Sequence, residues 1–197
     1  PDCPQPNYLL IAGLNLDKPQ EKAAVAAYLG AGETIYASTE NLYVALTSYE
    51  ETPAAVEQET SPKAGAIVQE KVAVRPPDYI TNTLVYKFAL QNGRVAFEAK
   101  GQVPGTVLNQ FSLDEHQGYF RIATTTGDLW RTDERTAKNN LYILDTALKV
   151  VGRLEGIAPG ERIYSVRFLG NRGYMVTFRK VDPLFVIDLK DPQKPQI

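Results

Sequence analysis

The chain has 197 residues, 44% of them hydrophobic and 22% charged, which is typical of a globular protein that buries a core. Its 21 basic and 23 acidic residues give a net charge of -2, which argues against nucleic acid as a partner. The only cysteine, Cys3, and the only histidine, His116, exclude an intramolecular disulfide and a zinc site built from these residue types. We predict neither a metal nor another cofactor.

Two features bear on targeting. No segment approaches the run of about 18 apolar residues that a membrane helix needs. The chain begins at Pro1, directly before an apolar run, which favours a piece of a longer protein whose targeting signals lie elsewhere.

The first predicted elements are two strands. Residues 8–16 form an apolar run, and the turn that follows, Leu16-Asp17-Lys18-Pro19-Gln20, resembles Leu189-Lys190-Asp191-Pro192-Gln193 near the other end of the chain. Residues 21–29 are rich in alanine and favour a short helix on propensity alone. Their place in the repeat favours an outer strand instead, and we predict a strand.

A short motif recurs along the chain. Gly32-Glu33-Thr34-Ile35-Tyr36 matches Gly160-Glu161-Arg162-Ile163-Tyr164, and Gly105-Thr106-Val107-Leu108-Asn109 is a weaker copy. After each copy we predict a turn and a second strand, at residues 42–47, 174–179 and 119–124 respectively. Two Gly-x-x-Pro-Gly segments, at 101–105 and 156–160, repeat at an offset of 55 residues (156 minus 101).

One segment interrupts the repeat. Residues 50–77 carry five glutamates and four prolines with few large apolar residues, so we predict a mobile insertion between the second and third strands of one unit. A solvated loop is favoured over a binding segment, and a short amphipathic helix or extra strand at 66–74 stays open. The next strand, residues 83–90, ends in Gln91-Asn92-Gly93, a tight hairpin signal.

A period of 40 to 55 residues with four short strands predicts an all-β fold, a β-propeller of about three to four blades built from four-stranded antiparallel meanders. We expect residues 1–32 to end one blade, 33–105 and 106–160 to form two blades, and 161–197 to form most of another. Closed propellers have at least four blades. We therefore expect the chain to be a fragment of a larger propeller that self-associates through exposed blade faces. The alternative is a small ring that closes because the two ends of the chain complete each other.

Several segments carry a resemblance to a known family: residues 108–115, 118–125, 154–161, 164–168, 174–178 and 181–189. They resemble bacterial and archaeal secreted proteins with a C-terminal β-propeller domain distantly related to WD-40 repeats. The resemblance covers residues 41–196. It implies an extracytoplasmic parent protein, often anchored to the membrane, and supplies no catalytic residues.

Two acidic groups are candidate sites. Asp114-Glu115-His116 places two carboxylates beside the only imidazole, from which a general acid and base could be built, but we favour a solvated hairpin turn. Asp182, Asp188 and Asp191 lack the alternating oxygen ligands of a calcium loop. Asp145 and Asp188 occupy matching strand ends, which favours hydrogen bonding within turns.

The predicted ligand-binding residues combine guanidinium and indole groups: Arg121, Trp130, Arg131, Arg167 and Arg179. Arg121 and Arg179 would recognise a carboxylate or an acidic sugar near the propeller axis, although salt bridges between blades are the favoured alternative. We therefore expect a noncatalytic scaffold that binds a protein or a cell-envelope glycan. The alternative is a carbohydrate-active hydrolase or lyase that uses acidic and arginine side chains near the axis.

Overall fold

The structure is a computed structural model, which describes residues 7–30, 32–51, 56–57, 73–74, 79–179 and 183–197. The described residues form strands and one short 3-10 helix, at Gln110–Ser112. The strands are β1 (Tyr8–Gly13), β2 (Ala24–Leu29), β3 (Thr34–Ala37), β4 (Asn41–Glu51), β5 (Val56–Glu57), β6 (Ala73–Val74), β7 (Tyr79–Gln91), β8 (Arg94–Pro104), β9 (Leu113–His116), β10 (Tyr119–Thr126), β11 (Lys138–Leu144), β12 (Val150–Ile157), β13 (Arg162–Leu169), β14 (Arg172–Phe178) and β15 (Leu184–Asp188).

Four of the sheets follow one another along the chain. The N-terminal sheet pairs β1 with β2, the first sheet has the order β3-β4-β7-β8, the second sheet β9-β10-β11-β12 and the third sheet β13-β14-β15. All these pairings are antiparallel. Two complete four-stranded meanders therefore lie between two smaller sheets, and the array does not close on itself. This confirms the predicted all-β fold and the partial propeller.

The sheets stack through alternating side chains. On β4, Tyr43 and Ala45 pack toward the second sheet, whereas Val44 between them packs toward the N-terminal sheet. On β10, Phe120 and Ile122 join the core with the first sheet, while Ala123 joins the core with the third. Successive residues of a strand point to opposite faces, so a strand that is apolar on both faces joins two cores.

Hairpin turns are set by local chemistry. The predicted Asn92-Gly93 turn joins β7 to β8, and both residues have positive φ, 50° and 71°. Gln117 and Gly118 join β9 to β10 in the same way, with φ of 52° and 79°. Two positive φ values suit the turn whose twist matches that of a β-hairpin.

The location of this second turn corrects a prediction. Asp114, Glu115 and His116 are not a solvated turn, because they lie in strand β9 and pair with β10. All three are only partly exposed, and the turn begins one residue later. A strand between two sheets tolerates consecutive polar residues where each finds a partner on its own face.

The prediction for the weaker copy of the repeated motif is also wrong. Residues 106–109 do not form the first strand of the second sheet. Thr106 makes an isolated bridge to Thr125, the 3-10 helix follows, and β9 starts at Leu113. Asn109 caps that helix, since its side-chain oxygen accepts the backbone N–H of Phe111. The spacing of the repeat is kept, but the strand is shortened.

In the two strong copies the motif glutamate has a structural role. The Glu33 carboxylate accepts the backbone N–H and the hydroxyl of Thr47, at 3.0 and 2.7 Å. Glu161 accepts the hydroxyl of Thr177 in the same way. In each case a glutamate directly before the first strand of a sheet is hydrogen-bonded to a threonine of the second strand. We call this pair of contacts the glutamate latch.

Two further predictions concern less regular parts. The outer strand predicted in residues 21–29 is confirmed by β2. The chain between β4 and β7 is confirmed as an insertion between the second and third strands of one sheet. It contains the paired strands β5 and β6, so residues 73–74 of the segment 66–74 are strand. Its other residues, and their predicted mobility, lie outside the described residues.

Candidate functional site

A groove with a cavity volume of about 750 Å³ opens at one end of the sheets. It is lined by the starts of β7, β11 and β13, the end of β10, and the connections at 104–108 and 127–137. Because neighbouring strands are antiparallel, the end of a second strand and the starts of the first and third strands meet at the same end of a blade. We call this cavity the end groove.

The connection at 127–137 forms one wall and is held by its own hydrogen bonds. Asp128 N–H donates to the Arg135 carbonyl at 2.9 Å, and Ala137 N–H donates to the Asp128 carbonyl at 3.0 Å. The Thr136 hydroxyl lies 2.7 Å from the Asp133 carbonyl and 3.0 Å from that of Arg131. A loop with its polar groups satisfied internally presents its remaining side chains in a fixed arrangement.

Gly127 makes this fold of the loop possible. Its φ is +74°, and a Cβ there would lie only 2.4 Å from the Arg135 carbonyl oxygen. A side chain at this position would meet both backbone strain and a collision with backbone atoms. The loop therefore depends on glycine where it leaves β10.

An ion pair stabilises the tip of the same loop. The Arg131 guanidinium donates to both carboxylate oxygens of Asp133, with Nε at 3.0 and 3.1 Å. This hydrogen bonding lowers the pKa of Asp133 to about 2 and raises the pKa of Arg131. Both groups thus stay charged over the ordinary pH range, and Arg131 is engaged in holding the loop.

The groove surface combines aromatic and charged groups. Trp130 is 81% exposed, and Tyr79, which lines the same groove, is also exposed. Lys138 and Arg162 contribute cations, and the Lys138 ammonium donates to the Glu134 carbonyl at 3.1 Å. A flat amphipathic ring next to cations suits a ligand that has both ring faces and negative charge.

The structure separates the five predicted ligand-binding residues. Trp130 lies in the end groove, and Arg131 lies next to it in the same loop. Arg179 is near this end, since its Nη1 would be 3.2 Å from a Cβ on Gly160. Arg167 is elsewhere, with its guanidinium 4.0 Å from the ring centroid of Phe111 and one N–H donated to the Val166 carbonyl.

Arg121 is only 3% exposed and is fully engaged by protein groups. Its Nε donates to Asp114 Oδ2 at 2.7 Å and its Nη1 to the Gly170 carbonyl of the third sheet at 2.7 Å. Its guanidinium carbon also lies 5.0 Å from the ring centroid of Phe168. We therefore leave Arg121 out of the candidate site and assign it to the packing of the second sheet against the third.

The acidic groups mostly bond to nearby protein groups. Glu115 Oε1 accepts the Asn41 amide at 2.8 Å, and His116 Nε2 lies 3.2 Å from Asn171 Oδ1. The predicted turn hydrogen bonds are confirmed. Asp145 Oδ1 accepts two backbone N–H groups and Asp188 Oδ1 accepts one, all at 2.9 to 3.0 Å. Asp182 lies outside the described residues.

A second cavity, of about 260 Å³, lies between the N-terminal sheet and the first sheet. Its lining is almost wholly apolar and includes Leu9, Val44 and Phe88. The N-terminal sheet has two strands in the described part of the chain, so it covers only part of a four-stranded face. Ile35 on β3 consequently stays 52% exposed. We interpret this cavity as incomplete stacking.

Sequence reasoning missed Tyr79, Lys138 and Arg162 as groove residues. Arg162 occupies the variable position of the Gly-Glu-x-Ile-Tyr motif, where the other strong copy has Thr34. Each of the three begins a strand at the groove end. Comparing the variable position of the motif between its copies would have directed attention to Arg162.

The described residues contain neither a membrane-spanning helix nor a group of metal ligands. No helix found there has the length and apolar character to cross a membrane. In the same part of the chain, no three or more histidine, cysteine or acidic side chains are grouped as metal ligands would be.

Known proteins resemble the chain over half of its length or more. A family model described as a beta propeller domain matches residues 1–197. An uncharacterized protein of Methanocaldococcus jannaschii is 53% identical over 103 residues, which is 52% of the chain and 16% of that protein. An uncharacterized protein of Archaeoglobus fulgidus is 49% identical over 118 residues, 60% of the chain and 17% of that protein. No solved structure matches the chain.

Proposed function

Because the chain belongs to the beta propeller domain family, we propose that it is a noncatalytic, extracytoplasmic scaffold that binds a cell-envelope glycan in the end groove. One observation carries the proposal: the exposed indole of Trp130 stands in the same groove as the cations Lys138 and Arg162. Propellers commonly use the loops at one end of the blades to bind, because the stacked sheets fix where those loops stand.

The size and chemistry of the groove fit an oligosaccharide. Its volume of about 750 Å³ falls within the range of about 300 to 1,000 Å³ that small-molecule sites occupy. A sugar presents an apolar C–H face that packs on an aromatic ring, while its hydroxyl and carboxylate groups need hydrogen-bond donors. We therefore favour a glycan that contains uronic acid, with Trp130 against a sugar face and Arg162 against a carboxylate.

The internal bonding of the loop at 127–137 supports a fixed binding surface. A glycosidase needs a carboxyl group with a raised pKa as its general acid. Asp133, in this loop, has its pKa lowered by Arg131, which favours the ionised form. Asp133 is thus suited to holding the loop in place and not to donating a proton as the acid of a glycosidase.

We would test the proposal by calorimetric titration of the chain with two probes, a uronic-acid oligosaccharide and a neutral glucan oligosaccharide of equal length. We expect Trp130→Ala to weaken binding of both probes at least about fivefold, because stacking on an aromatic ring contributes about 1 to 3 kcal/mol. Arg162→Gln should weaken binding of the uronic probe alone, by about tenfold, because it removes a charge-assisted hydrogen bond.

Arg153→Gln is the matched control, since Arg153 is an exposed strand arginine that does not line the end groove. It should leave both affinities unchanged. Absence of binding to either probe would contradict the glycan proposal. Equal binding by the Trp130→Ala variant would place the site outside the groove, and release of shortened oligosaccharides would favour the hydrolase.

A further inference from the structure

A buried amide next to the end groove joins the second sheet to the third. Asn139, the second residue of β11, is 0% exposed. Its Nδ2 donates to the Ile157 carbonyl at 3.1 Å and to the Glu161 carbonyl at 3.2 Å. Its Oδ1 accepts the hydroxyl of Thr125 at 2.9 Å. The two carbonyls determine which way the amide points, because only its nitrogen can donate to them.

Asn139 and Thr125 together hold the two peptide groups on either side of Arg162. The Glu161 carbonyl belongs to the peptide group before Arg162 and is bonded by Asn139. The Ile163 N–H belongs to the peptide group after Arg162 and donates to the Thr125 hydroxyl oxygen at 3.4 Å. Because each peptide group is planar, holding both of them fixes φ and ψ of Arg162. The direction in which its side chain leaves the backbone is therefore set from the second sheet.

The start of β13 needs such partners because this strand lies at the edge of its sheet. In the described residues the third sheet has the order β13-β14-β15, so β13 has a strand on one side only. Arg162 pairs with Phe178 of β14 on that side. The carbonyl of the residue before Arg162 and the N–H of the residue after it point to the other side. Asn139 and Thr125 take the place of a neighbouring strand there.

The preceding blade connection shows that an asparagine is not needed to fasten one blade to the next. Thr83 on β7 has the place of Asn139, since each lies two positions after the residue whose carbonyl accepts the N–H of the last glycine of a Gly-x-x-Pro-Gly segment. The Thr83 hydroxyl makes one bond to this connection, to the Gly105 carbonyl at 2.6 Å. The amide of Asn139 adds a second donor and an acceptor, and these reach the groups that flank Arg162.

We propose that Asn139 is a positioning residue of the end groove. By holding the backbone of Arg162, it directs that guanidinium toward the ligand and gives the groove its preference for acidic over neutral sugar chains. Asn139 itself is buried and lies outside the groove lining, so it acts through Arg162. This inference rests on the proposed glycan-binding function.

Calorimetric titration with the uronic-acid and neutral oligosaccharides tests the inference. Asn139→Thr should weaken binding of the uronic probe about fivefold, because an arginine that is not held must be ordered on binding, and should leave the neutral probe unaffected. Threonine is chosen because the first sheet folds with threonine at this place. The matched control is Asn140→Thr. Asn140 is 4% exposed, and its amide bonds only Thr126 and Gly156 of its own sheet. This control should keep the ratio of the two affinities.

A double variant asks whether Asn139 acts through Arg162. In an Arg162→Gln background, Asn139→Thr should cause no further loss of affinity for the uronic probe, because the group it positions is already gone. A further loss would contradict the proposal. So would an unchanged ratio of affinities in the folded Asn139→Thr variant, and in that case the glycan proposal itself would still stand.

Amide hydrogen exchange measured by NMR tests the same contact without any ligand. The Ile163 amide should be protected in the unmodified chain and in Asn140→Thr, and should exchange faster in Asn139→Thr. Rapid exchange in the unmodified chain, or equal exchange in all three, would overturn the hold on Arg162. If the unmodified chain bound neither probe, the glycan proposal would fail, and the exchange rates alone would decide whether Asn139 fixes Arg162.

Discussion

Apolar residues pack on both faces of the second sheet, but two adjacent residues of β10 meet the neighbouring sheets through different chemistry. On one face, the ring of Phe120 stacks on Tyr43 of the first sheet, with centroids 4.2 Å apart and planes 15° from parallel. On the other, the next residue, Arg121, bonds Asp114 in its own sheet and the Gly170 carbonyl of the third sheet. Both side chains are almost fully buried.

The difference teaches what each interface requires. The aromatic interface depends on volume, since closely packed rings lose contacts as soon as one is shortened. The arginine interface depends on completeness, because a buried guanidinium is tolerated only where its hydrogen bonds are satisfied. Adjacent residues of one strand thus join the second sheet to two different neighbours, Phe120 to the first sheet and Arg121 to the third, and different substitutions break the two contacts.

The largest expected effect is at the aromatic interface. Phe120→Ala should lower the free energy of unfolding by about 4 kcal/mol, because it removes a buried ring and leaves a cavity against Tyr43. Urea unfolding followed by circular dichroism measures this loss. Phe97→Ala, at a half-exposed ring on β8, is the control and should cost much less. Equal losses at the two positions would contradict the stacking argument.

Breaking the arginine interface should cost somewhat less. Arg121→Ala should lower the free energy of unfolding by about 3 kcal/mol, because it leaves the Asp114 carboxylate and the Gly170 carbonyl without this donor. The same urea titration measures it.

The double variant Arg121→Met, Asp114→Leu tests whether the interface needs the ion pair itself or only needs every buried polar group to have a partner. Replacing both partners with apolar groups of similar volume removes the unpaired carboxylate, so most of the stability should return. A double variant that is less stable than Arg121→Ala would show that the ion pair itself stabilises the interface.

The smallest expected effect is on the pH dependence of stability, and it arises at the aromatic interface, where Tyr43 titrates. Burial raises the pKa of Tyr43, and the nearby Glu115 carboxylate adds to the shift. Above about pH 10 an unfolded chain releases the tyrosine proton while the folded chain keeps it, so stability should fall as pH rises from there. Tyr43→Phe should make this fall shallower in urea titrations between pH 8 and 11.

Tyr142 keeps some of the alkaline decline in that variant, since burial raises its pKa too. The same substitution at Tyr49, which is largely exposed, is the control and should leave the decline unchanged. An identical decline in the Tyr43→Phe variant and the unmodified chain would contradict the assignment to Tyr43.

The sequence predicted those parts of the fold that depend on local chemistry. The Asn92-Gly93 turn follows from the ease with which these residues take positive φ, and the strands follow from runs that are apolar on both faces. Strand β9 was missed because it has four residues, three of them polar, which on sequence alone resemble a turn. Its strand character comes from pairing with β10 and from contacts to other sheets.

The candidate site was harder to predict because its parts are distant in sequence. Tyr79, Trp130 and Arg162 come from three different sheets or connections, and only stacking brings them to one groove. For Arg121 a ligand-binding role was a candidate and salt bridges between blades were favoured; its partners, Asp114 in its own sheet and the Gly170 carbonyl of the third sheet, lie 7 and 49 residues away in the chain. Trp130, one of the predicted ligand-binding residues, lines the groove, and its role in binding stays a prediction.

The glutamate latch has a consequence for how such a chain could have arisen. Glu33 bonds Thr47 and Glu161 bonds Thr177, so each latch lies wholly within one sheet. A gene segment that encodes one blade therefore carries both halves of its own fastening. Duplication in tandem would yield a new blade whose first two strands are already tied together, leaving selection to adjust only the surfaces between blades.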